Sequence, residues 1–250
     1  MFSYKLLLTY DGTRYFGWQK TRMGPSVQES LEGAILQITG ERVTAEAASR
    51  TDRGVHAEGQ SVSFSISKEI DPYRLLGGLN AALPADIRVL ELLPCEITFH
   101  PTLDASSKEY RYSLCLGPVQ NPIHRLYSWH VKAALDLNKM ERAAKDLLGQ
   151  KDFSAFANEK AENPICAIEK ITFDQMSDRL QICLVGDRFL YKMVRNLVGT
   201  LVYIGMGKLC DGCIPALLAS KDRKAAGVTA PAHGLFLHRI FYDSLVDLEP

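Results

Sequence analysis

Residues 60–66 read Gln-Ser-Val-Ser-Phe-Ser-Ile, and this stretch sets the fold of the first half of the chain. Val62, Phe64 and Ile66 alternate with small polar residues. Strict alternation over this length is typical of a β-strand with one buried face. The run just before it, residues 43–49, predicts another strand, so two consecutive strands form the centre of this half.

Each side of this strand pair supplies one further strand and one helix. Upstream, residues 4–10 form an apolar, β-rich run, and the capping box over residues 26–29 begins a helix. Downstream, the Asp-Pro pair at 71–72 is an N-cap followed by an N1 proline, and residues 86–93 predict the last strand. The order β-α-β-β-α-β is the ferredoxin-like pattern.

The second half follows the same order without a visible repeat in its sequence. A helix is predicted from Asp136 and another over residues 188–204, and an insertion follows at 205–233. The predicted strands are 108–116, 166–174, 179–185 and 234–242. We therefore expect an α+β protein with two ferredoxin-like units, 1–105 and 106–250, whose antiparallel sheets form a central cleft.

The composition is that of a folded protein without a membrane segment. Hydrophobic residues make up 46% and charged residues 23% of the 250 positions. Lys plus Arg and Asp plus Glu number 29 each, which disfavours a general polyanion binder. The most apolar stretch, 188–207, contains three basic residues, and residues 1–10 lack the pattern of a signal peptide. Together with six scattered cysteines, these features predict a cytoplasmic protein with reduced thiols.

Common cofactor and hydrolase motifs are missing from the sequence. It has no GxGxxG, P-loop, HExxH or GxSxG, which disfavours nucleotide-cofactor chemistry, zinc proteolysis and serine hydrolysis. Cys210 and Cys213 have CxxC spacing, but a structural zinc site usually needs four ligands. They form either a metal or redox pair or a turn with two incidental cysteines. His56 and His100 lie in predicted loops, where each is either structural or catalytic.

The densest cluster of polar residues covers positions 49–56, Ser-Arg-Thr-Asp-Arg-Gly-Val-His. Asp52 lies between Arg50 and Arg53, and nearby positive charge favours the ionised carboxylate. An ionised, positioned aspartate can act as a nucleophile or as a base. The alternative is an Asp-X-Gly turn with a surface ion pair. An extended backbone would place Arg50 and Asp52 on one face and Thr51 and Arg53 on the other.

This cluster resembles a known signature once the residues after it are included. Residues 50–60, Arg-Thr-Asp-Arg-Gly-Val-His-Ala-Glu-Gly-Gln, are similar to the RTDxGVHAxGQ motif of the tRNA pseudouridine synthase A family. Further blocks resemble motifs of this family in the same order, from residue 10 to about residue 242. These blocks are 10–19, 26–32, 79–87, 189–200 and 222–235.

The resemblance implies an activity, a fold and a partner. The activity is that of an isomerase (an intramolecular transferase) that converts uridine to pseudouridine at positions 38, 39 and 40, in the anticodon stem-loop of tRNA. The N-glycosidic bond breaks and the base is rejoined through C5, without a metal or a cofactor. The fold is the pseudouridine synthase fold, and the partner is tRNA bound across a homodimer.

The resemblance also implies roles for individual residues. Asp52 matches the nucleophile, and Arg50 matches the arginine that helps to displace the target base. Tyr110 matches the tyrosine that stacks on this base and takes part in proton transfer, and Arg195 matches the basic partner of the catalytic aspartate. Flipping a base out of a stem costs a few kcal/mol, and stacking on an aromatic ring offsets about 1–3 kcal/mol of this.

Four further residues are expected near the uracil. Phe189, Leu190 and Met193 either wall the uracil pocket or belong to the core. Lys192 stands where the family usually has histidine, so a role that needs an imidazole is in doubt at this position. Residues 99–103, Phe-His-Pro-Thr-Leu, replace the family's Phe-His-Ala-Arg-Phe and lack its arginine, which puts one RNA contact in doubt.

Two other functions are compatible with the same predicted scaffold. One is a non-catalytic RNA-binding protein or tRNA chaperone built from two RRM-like units, which would bind tRNA tightly without isomerising uridine. Asp52 and Arg195 argue against it, because both belong to the implied chemistry. The other is an enzyme that acts on a small molecule, which would lack salt-sensitive tRNA binding.

Overall fold

The computed structural model describes residues 1–243, and its contacts divide the chain into two compact units. The first unit contains Met1–Ser106 together with the segment from Phe236, and the second contains Ser107–Leu235. The predicted subdomains are 1–105 and 106–250, so the prediction assigns the last strand to the second half. The contacts assign the segment from Phe236 to the first unit instead.

Residues 1–243 contain ten strands and five α-helices. They begin with β1 (Phe2–Tyr10), α1 (Val27–Thr39), β2 (Glu46–Ala47), β3 (His56–Ile66), α2 (Pro72–Ala82) and β4 (Ile87–Cys95). They continue with β5 (Ala105–Leu116), β6 (Trp129–Val131), α3 (Leu137–Lys145), β7 (Gly149–Asp152), β8 (Ile165–Met176), β9 (Arg179–Gly186), α4 (Met193–Gly205), α5 (Ile214–Ser220) and β10 (Leu235–Tyr242).

The first unit confirms the predicted β-α-β-β-α-β order. Its sheet has the strand order β4-β1-β3-β2, and all of these pairings are antiparallel. β10 runs parallel to β3 through the pairs Phe236–His56 and Leu237–Ala57. β2 is only two residues long, whereas the sequence predicts a strand over 43–49. The order β4-β1-β3-β2 is that of a ferredoxin-like sheet, as predicted.

β3 is buried on both faces at its centre. Val62, Phe64 and Ile66 are buried as predicted, but Ser61 and Ser63 are buried as well. The prediction of one exposed face is wrong here, because a central strand with small side chains on its second face can be covered on both sides. The strand therefore forms a rigid base for the loop that precedes it.

The predicted caps of α1 are present. The hydroxyl of Ser26 accepts a hydrogen bond from the amide of Glu29 (3.2 Å), which satisfies one of the unpaired amides of the first turn. Gly40 ends the helix with φ 75°, a left-handed conformation that glycine adopts without strain. Leu31 and Ile35 are buried beneath the helix.

The second unit has a sheet with the strand order β5-β9-β8-β7 in which neighbouring strands are antiparallel. The hairpin predicted from the two central strands is confirmed as β8 and β9. β6 pairs parallel with β5. Neither β6 nor β7 was expected, because runs of three and four residues are too short to show alternation.

α4 begins at Met193, five residues later than the predicted start at 188. Lys192 has φ 60° and ψ 10°, a left-handed conformation that is not helical, so it ends the loop before the helix. No helix in residues 1–243 has the length and apolarity needed to span a membrane. All six cysteines are free thiols.

Candidate active site

The loop that carries Asp52 is fixed at its start by the side chain of Gln60. The Gln60 amide accepts a hydrogen bond from the backbone N–H of Ser49 (3.2 Å) and donates one to the Ser49 carbonyl (2.6 Å). Gln60 lies in β3 and is fully buried. A single side chain on a rigid strand therefore holds both backbone polar groups of the residue that leads into the loop.

The middle of the loop is fixed through Thr51. Its hydroxyl lies 2.8 Å from the phenol oxygen of Tyr10, and its carbonyl accepts a hydrogen bond from the amide of Trp18 (3.0 Å). Three residues after Thr51, the amide of Gly54 donates to the carbonyl of Tyr15 (3.3 Å). The 12–18 segment and the end of β1 thus hold the backbone on both sides of Asp52.

Two glycines allow this close approach of the two loops. A Cβ on Gly17 would lie 2.5 Å from the Thr51 carbonyl oxygen, and Gly17 also has φ 100°. A Cβ on Gly12 would lie 1.9 Å from the Val55 carbonyl oxygen. Both distances are far below van der Waals contact, so any larger residue would push the Asp52 loop away.

The loop itself ends in a turn rather than in an extended strand. The amide of Val55 donates to the Asp52 carbonyl (3.1 Å), and Gly54 has φ 76°. Thr51 is buried, Asp52 is half-buried and Arg50 is exposed. Arg53 is also exposed, so the predicted face shared by Thr51 and Arg53 is wrong, because the turn interrupts the alternation.

The guanidinium of Arg53 is stacked on an aromatic ring. Its central carbon lies 4.2 Å from the centroid of Phe16, whose amide donates to the Pro25 carbonyl (2.8 Å). The Phe16 ring in turn packs on Gly24, where an added Cβ would lie 2.4 Å from the ring. This stack holds the residue after Asp52 in place.

The two histidines predicted as structural or catalytic, His56 and His100, both accept hydrogen bonds from backbone amides of loops in the first unit. His56 is buried, its ring is stacked on Phe236, and its Nδ1 accepts a hydrogen bond from the amide of Gly12 (3.1 Å). His100 Nδ1 accepts from the amides of Thr102 and Leu103, each at 3.2 Å.

Thr102, at the position where the family has arginine, is bonded to the segment that leads to Asp52. Its hydroxyl donates to the carbonyls of Ala47 (2.8 Å) and Ala48 (3.3 Å). The short Thr102 side chain therefore fixes the backbone of this segment.

The second unit brings together the predicted uracil-facing residues. Tyr110 lies in β5 and is 6% exposed. The Phe189 ring contacts it edge-on, with the centroids 5.3 Å apart and the planes at 85°. Leu190 and Met193 are buried, and the Leu190 amide points at the Met193 sulfur (3.5 Å). Phe189 is half-buried, and its ring contacts Tyr110, so the two rings together form one aromatic surface.

Lys192 stands at the N-cap of α4 in its left-handed conformation, and its ammonium lies 4.7 Å from the centroid of the Tyr191 ring. A non-glycine residue in this conformation stores strain, and such residues are concentrated at functional sites. The Lys192 side chain is half-buried and directly precedes the buried Met193.

Arg195 is oriented by the loop that precedes β10. Its Nε donates to the Ala230 carbonyl (2.7 Å), and the Ala230 amide donates back to the Arg195 carbonyl (3.0 Å). Its positive charge adds to burial in lowering the pKa of His233. The guanidinium is thus held in a fixed direction beside a neutral imidazole.

A partly buried hydrogen-bond network holds this loop against α4. Arg223 donates to the carbonyl of Gly227 and to the side-chain oxygens of Asn196 and Thr229, each at 2.8 Å. The Asn196 amide nitrogen donates to the Phe156 carbonyl (2.6 Å). Within the second unit, these contacts hold the loop that orients Arg195; within the first unit, Gln60, Tyr10 and Gly17 hold the Asp52 loop. The sequence motifs contain these residues but do not show what they contact.

The helix backbone is equally close to this loop. A Cβ on Gly199 would lie 1.7 Å from the Val228 carbonyl oxygen, and one on Gly227 would lie 2.6 Å from Thr200 Cα. The two blocks at 189–200 and 222–235 are therefore packed backbone to backbone, which explains why both contain glycine at these points.

Cys210 and Cys213 form a turn at the start of α5. The Cys213 amide donates to the Cys210 carbonyl (3.4 Å), and Gly212 has φ 82°. Burial and the neighbouring Cys210 raise the pKa of the Cys213 thiol to about 11. Within residues 1–243, no group of three or more His, Cys, Asp or Glu side chains is arranged to hold a metal ion.

Comparison with known proteins agrees with these motifs. The model of a family described as tRNA pseudouridine synthase matches residues 7–102 and 143–243. The chain is 49% identical to tRNA pseudouridine synthase A 2 of Protochlamydia amoebophila (strain UWE25), over 95% of this chain and 93% of that protein. It is 42% identical to tRNA pseudouridine synthase A of Pelobacter propionicus (strain DSM 2379 / NBRC 103807 / OttBd1), over 95% of this chain and 98% of that protein.

Among solved structures, the archaeal box H/ACA sRNP Nop10-Cbf5 complex matches with a TM-score of 0.38 at 11% identity, over 80% of this chain and 43% of that chain. The family match covers most of the sequence, and the relatives are covered almost end to end. The chain belongs to the tRNA pseudouridine synthase A family.

Proposed function

We propose that this protein isomerises uridine to pseudouridine at positions 38, 39 and 40, in the anticodon stem-loop of tRNA, with Asp52 as the nucleophile. The observation that carries the proposal is the fixed loop around Asp52. Gln60, Tyr10 and the 12–18 segment hold the backbone on both sides of a half-buried carboxylate. A positioned carboxylate needs no reorganisation before it attacks.

The proposed reaction balances without a co-reactant. The Asp52 carboxylate attacks C1′ of the target ribose, and the N-glycosidic bond breaks with its electron pair on N1 of the uracil. The uracil anion turns, and its C5 attacks C1′ and displaces Asp52. The proton leaves C5 and a proton is added at N1, so the product is an isomer of the substrate.

The other residues have roles that follow from their positions. Arg50 is exposed next to Asp52, and its guanidinium is proposed to occupy the space that the flipped base leaves. Tyr110, supported edge-on by Phe189, is proposed to stack on the uracil and to transfer a proton. Leu190 and Met193 are proposed to exclude water behind the base.

Two cations complete the proposed site. Arg195 is proposed to keep the nucleophile ionised; its support is the rigid anchor at Ala230. Lys192 is proposed to contact the substrate as a permanent cation rather than as an acid or base. Its support is the strained backbone that holds it at the start of α4.

The protein is further proposed to work in the cytoplasm as a homodimer that binds one tRNA across both subunits. The free cysteines support a reducing compartment. Light scattering at micromolar protein concentration tests the assembly, and a monomeric mass would contradict it.

Tritium release from tRNA that contains 5-tritiated uridine tests the activity. Wild-type protein should release tritium, and Asp52→Asn should lose roughly a thousandfold or more in rate while tRNA binding is kept. Asp104→Asn is the matched control, because Asp104 is an exposed carboxylate that only closes a loop turn with the His100 amide. Full activity in Asp52→Asn would remove the nucleophile assignment, and tight binding without tritium release would favour the RNA-chaperone alternative.

A further inference from the structure

Lys108 is a buried lysine next to the residue proposed to stack on the target base. It lies in β5 and is 8% exposed. Alternate residues of a strand share one face, so Lys108 and Tyr110 point to the same side, about 6.6 Å apart along the strand. Glu109 and Arg111 lie on the other face, where they form an ion pair (2.7 Å).

The aromatic surface of the site continues next to Lys108. The cross-strand partner of Lys108 is Gly186, and the partner of Tyr110 is Leu184. A Cβ on Gly186 would lie 3.2 Å from Cζ of Phe189, whose ring contacts Tyr110. Because Gly186 has no side chain, the Phe189 ring can lie close to the strand position that pairs with Lys108. Lys108 therefore belongs to the same surface as the two rings.

The charges around Lys108 favour a negatively charged ligand. Burial and the nearby Arg188 lower the pKa of Lys108 to about 8, while Asp187 acts in the opposite direction. Oδ1 of Asp187 already accepts hydrogen bonds from the amides of Ala167 (2.8 Å) and Arg188 (2.6 Å). Lys108 and Arg188 together place two positive charges next to this aromatic surface, and positive charge attracts the anionic backbone of a nucleic acid.

Another titratable group, the thiol of Cys166, interacts with the same two loop residues as Lys108. These residues are Asp187 and Arg188, and burial raises the pKa of the Cys166 thiol to about 11. It is therefore neutral at the pH values of interest. Tyr110 lies on the same face as Lys108, and Asp187 and Arg188 lie in the loop after β9.

We propose that Lys108 is a substrate-binding residue whose ammonium contacts the phosphate of the target nucleotide while the base lies on Tyr110. The inference rests on the proposed function, because it needs a flipped nucleotide on this surface. A lysine is a compact charge on a flexible stem, so it can reach a phosphate from a base-stacking surface. Phosphate contacts position a nucleic acid without reading its sequence.

The first arm of the test measures salt dependence. Binding of an unmodified tRNA transcript is measured between 50 and 200 mM salt for the wild-type protein, Lys108→Met and the control Lys145→Met, an exposed lysine at the end of α3. Losing one phosphate contact should weaken binding about ten- to a hundredfold and reduce the salt slope by about one. Lys145→Met should keep the wild-type slope. Thermal melting confirms that each variant is folded.

The second arm measures pH dependence. The ammonium is present below about pH 8 and is lost as the pH rises through this value, so wild-type kcat/KM should fall above about pH 8. The arginine in Lys108→Arg stays charged over this range, so kcat/KM of this variant should not fall up to about pH 9. If Lys108 served only in packing, the Lys108→Arg substitution would not shift the alkaline fall in kcat/KM.

Each result decides the proposal. An unchanged salt slope in Lys108→Met, or a wild-type alkaline fall in Lys108→Arg, overturns it. If the wild-type protein forms no pseudouridine, the proposed function fails, and the salt slopes still decide whether Lys108 binds the RNA backbone.

Discussion

The phenol oxygen of Tyr10 lies 2.8 Å from the hydroxyl oxygen of Thr51, and both side chains are buried. Tyr10 is the last residue of β1, whereas Thr51 directly precedes Asp52. A buried hydrogen bond of this kind ties a rigid strand to the loop that carries the proposed nucleophile. It makes the position of Asp52 depend on the sheet rather than on the loop alone.

Tyr10→Phe should lower the free energy of unfolding by about 1–2 kcal/mol, because the Thr51 hydroxyl loses a buried partner. We expect kcat to fall about tenfold with little change in KM, since a small displacement of a reacting group is costly. Urea unfolding and single-turnover tritium release measure the two effects. Tyr10→Phe combined with Thr51→Val removes both partners and should be less destabilised than the sum of the single variants; simple additivity would mean that the two groups are not coupled.

Gly17→Ala should destabilise the protein and reduce its activity. The new Cβ would lie 2.5 Å from the Thr51 carbonyl, at a residue with φ 100°. We expect a loss of about 1–3 kcal/mol in unfolding free energy, with a lower kcat because the Asp52 loop moves. Gly33→Ala is the matched control.

Gly33 lies inside α1, and a Cβ there would meet no atom within 4 Å. Alanine at this position should stabilise the helix by about 0.5–1 kcal/mol and leave kcat unchanged. Equal effects of the two glycine substitutions on activity would contradict the close-approach argument.

The order of elements in the first unit could be predicted because each carries its own local signal. The Ser26 cap and the alternation in β3 depend only on residues a few positions apart. The contacts that fix Asp52 could not be predicted from pattern alone. Gln60 contacts Ser49, and Gly17 contacts Thr51, only in the folded chain. The periodicity of the sequence therefore does not indicate either contact.

The second unit shows where local signals are misleading. The apolar run after 188 reads as continuous helix, but Lys192 adopts a left-handed conformation and delays the start of α4 to Met193. Hydrophobicity reports burial and not backbone conformation, so the boundary could not be read from it. The burial of Lys108 was equally hidden, because a lone lysine on a strand usually points to solvent.

Arg223→Met should loosen the loop that orients Arg195. The substitution removes donors to Gly227, Asn196 and Thr229 in a partly buried network. We expect a loss of about 2–3 kcal/mol in unfolding free energy and a fall in kcat larger than any rise in KM. Lys224→Met, at the exposed neighbouring position, should change neither quantity. If the Arg223→Met protein folds and keeps full activity, the network does not position Arg195.

The ion pair between Asp152 and Lys221 should make stability depend on pH in the acid range. Nζ of Lys221 lies 2.6 Å from Oδ2 of Asp152, and with the Ser154 hydroxyl it lowers the pKa of this carboxyl to about 2. Because the folded-state pKa is depressed, the stabilisation is complete above the unfolded-state value near 4 and is lost as the pH falls towards 2.

Lys221→Met should therefore be less stable than the wild-type protein at pH 6, by about 1 kcal/mol or less because the lysine is largely exposed. The difference between the two proteins should shrink as the pH is lowered from about 4 to 2, because protonation of Asp152 removes the pair from the wild-type protein as well. Urea unfolding at pH 2, 3, 4 and 6 measures it. A difference that stays constant over this range would assign the effect of the substitution to the lysine stem rather than to its charge.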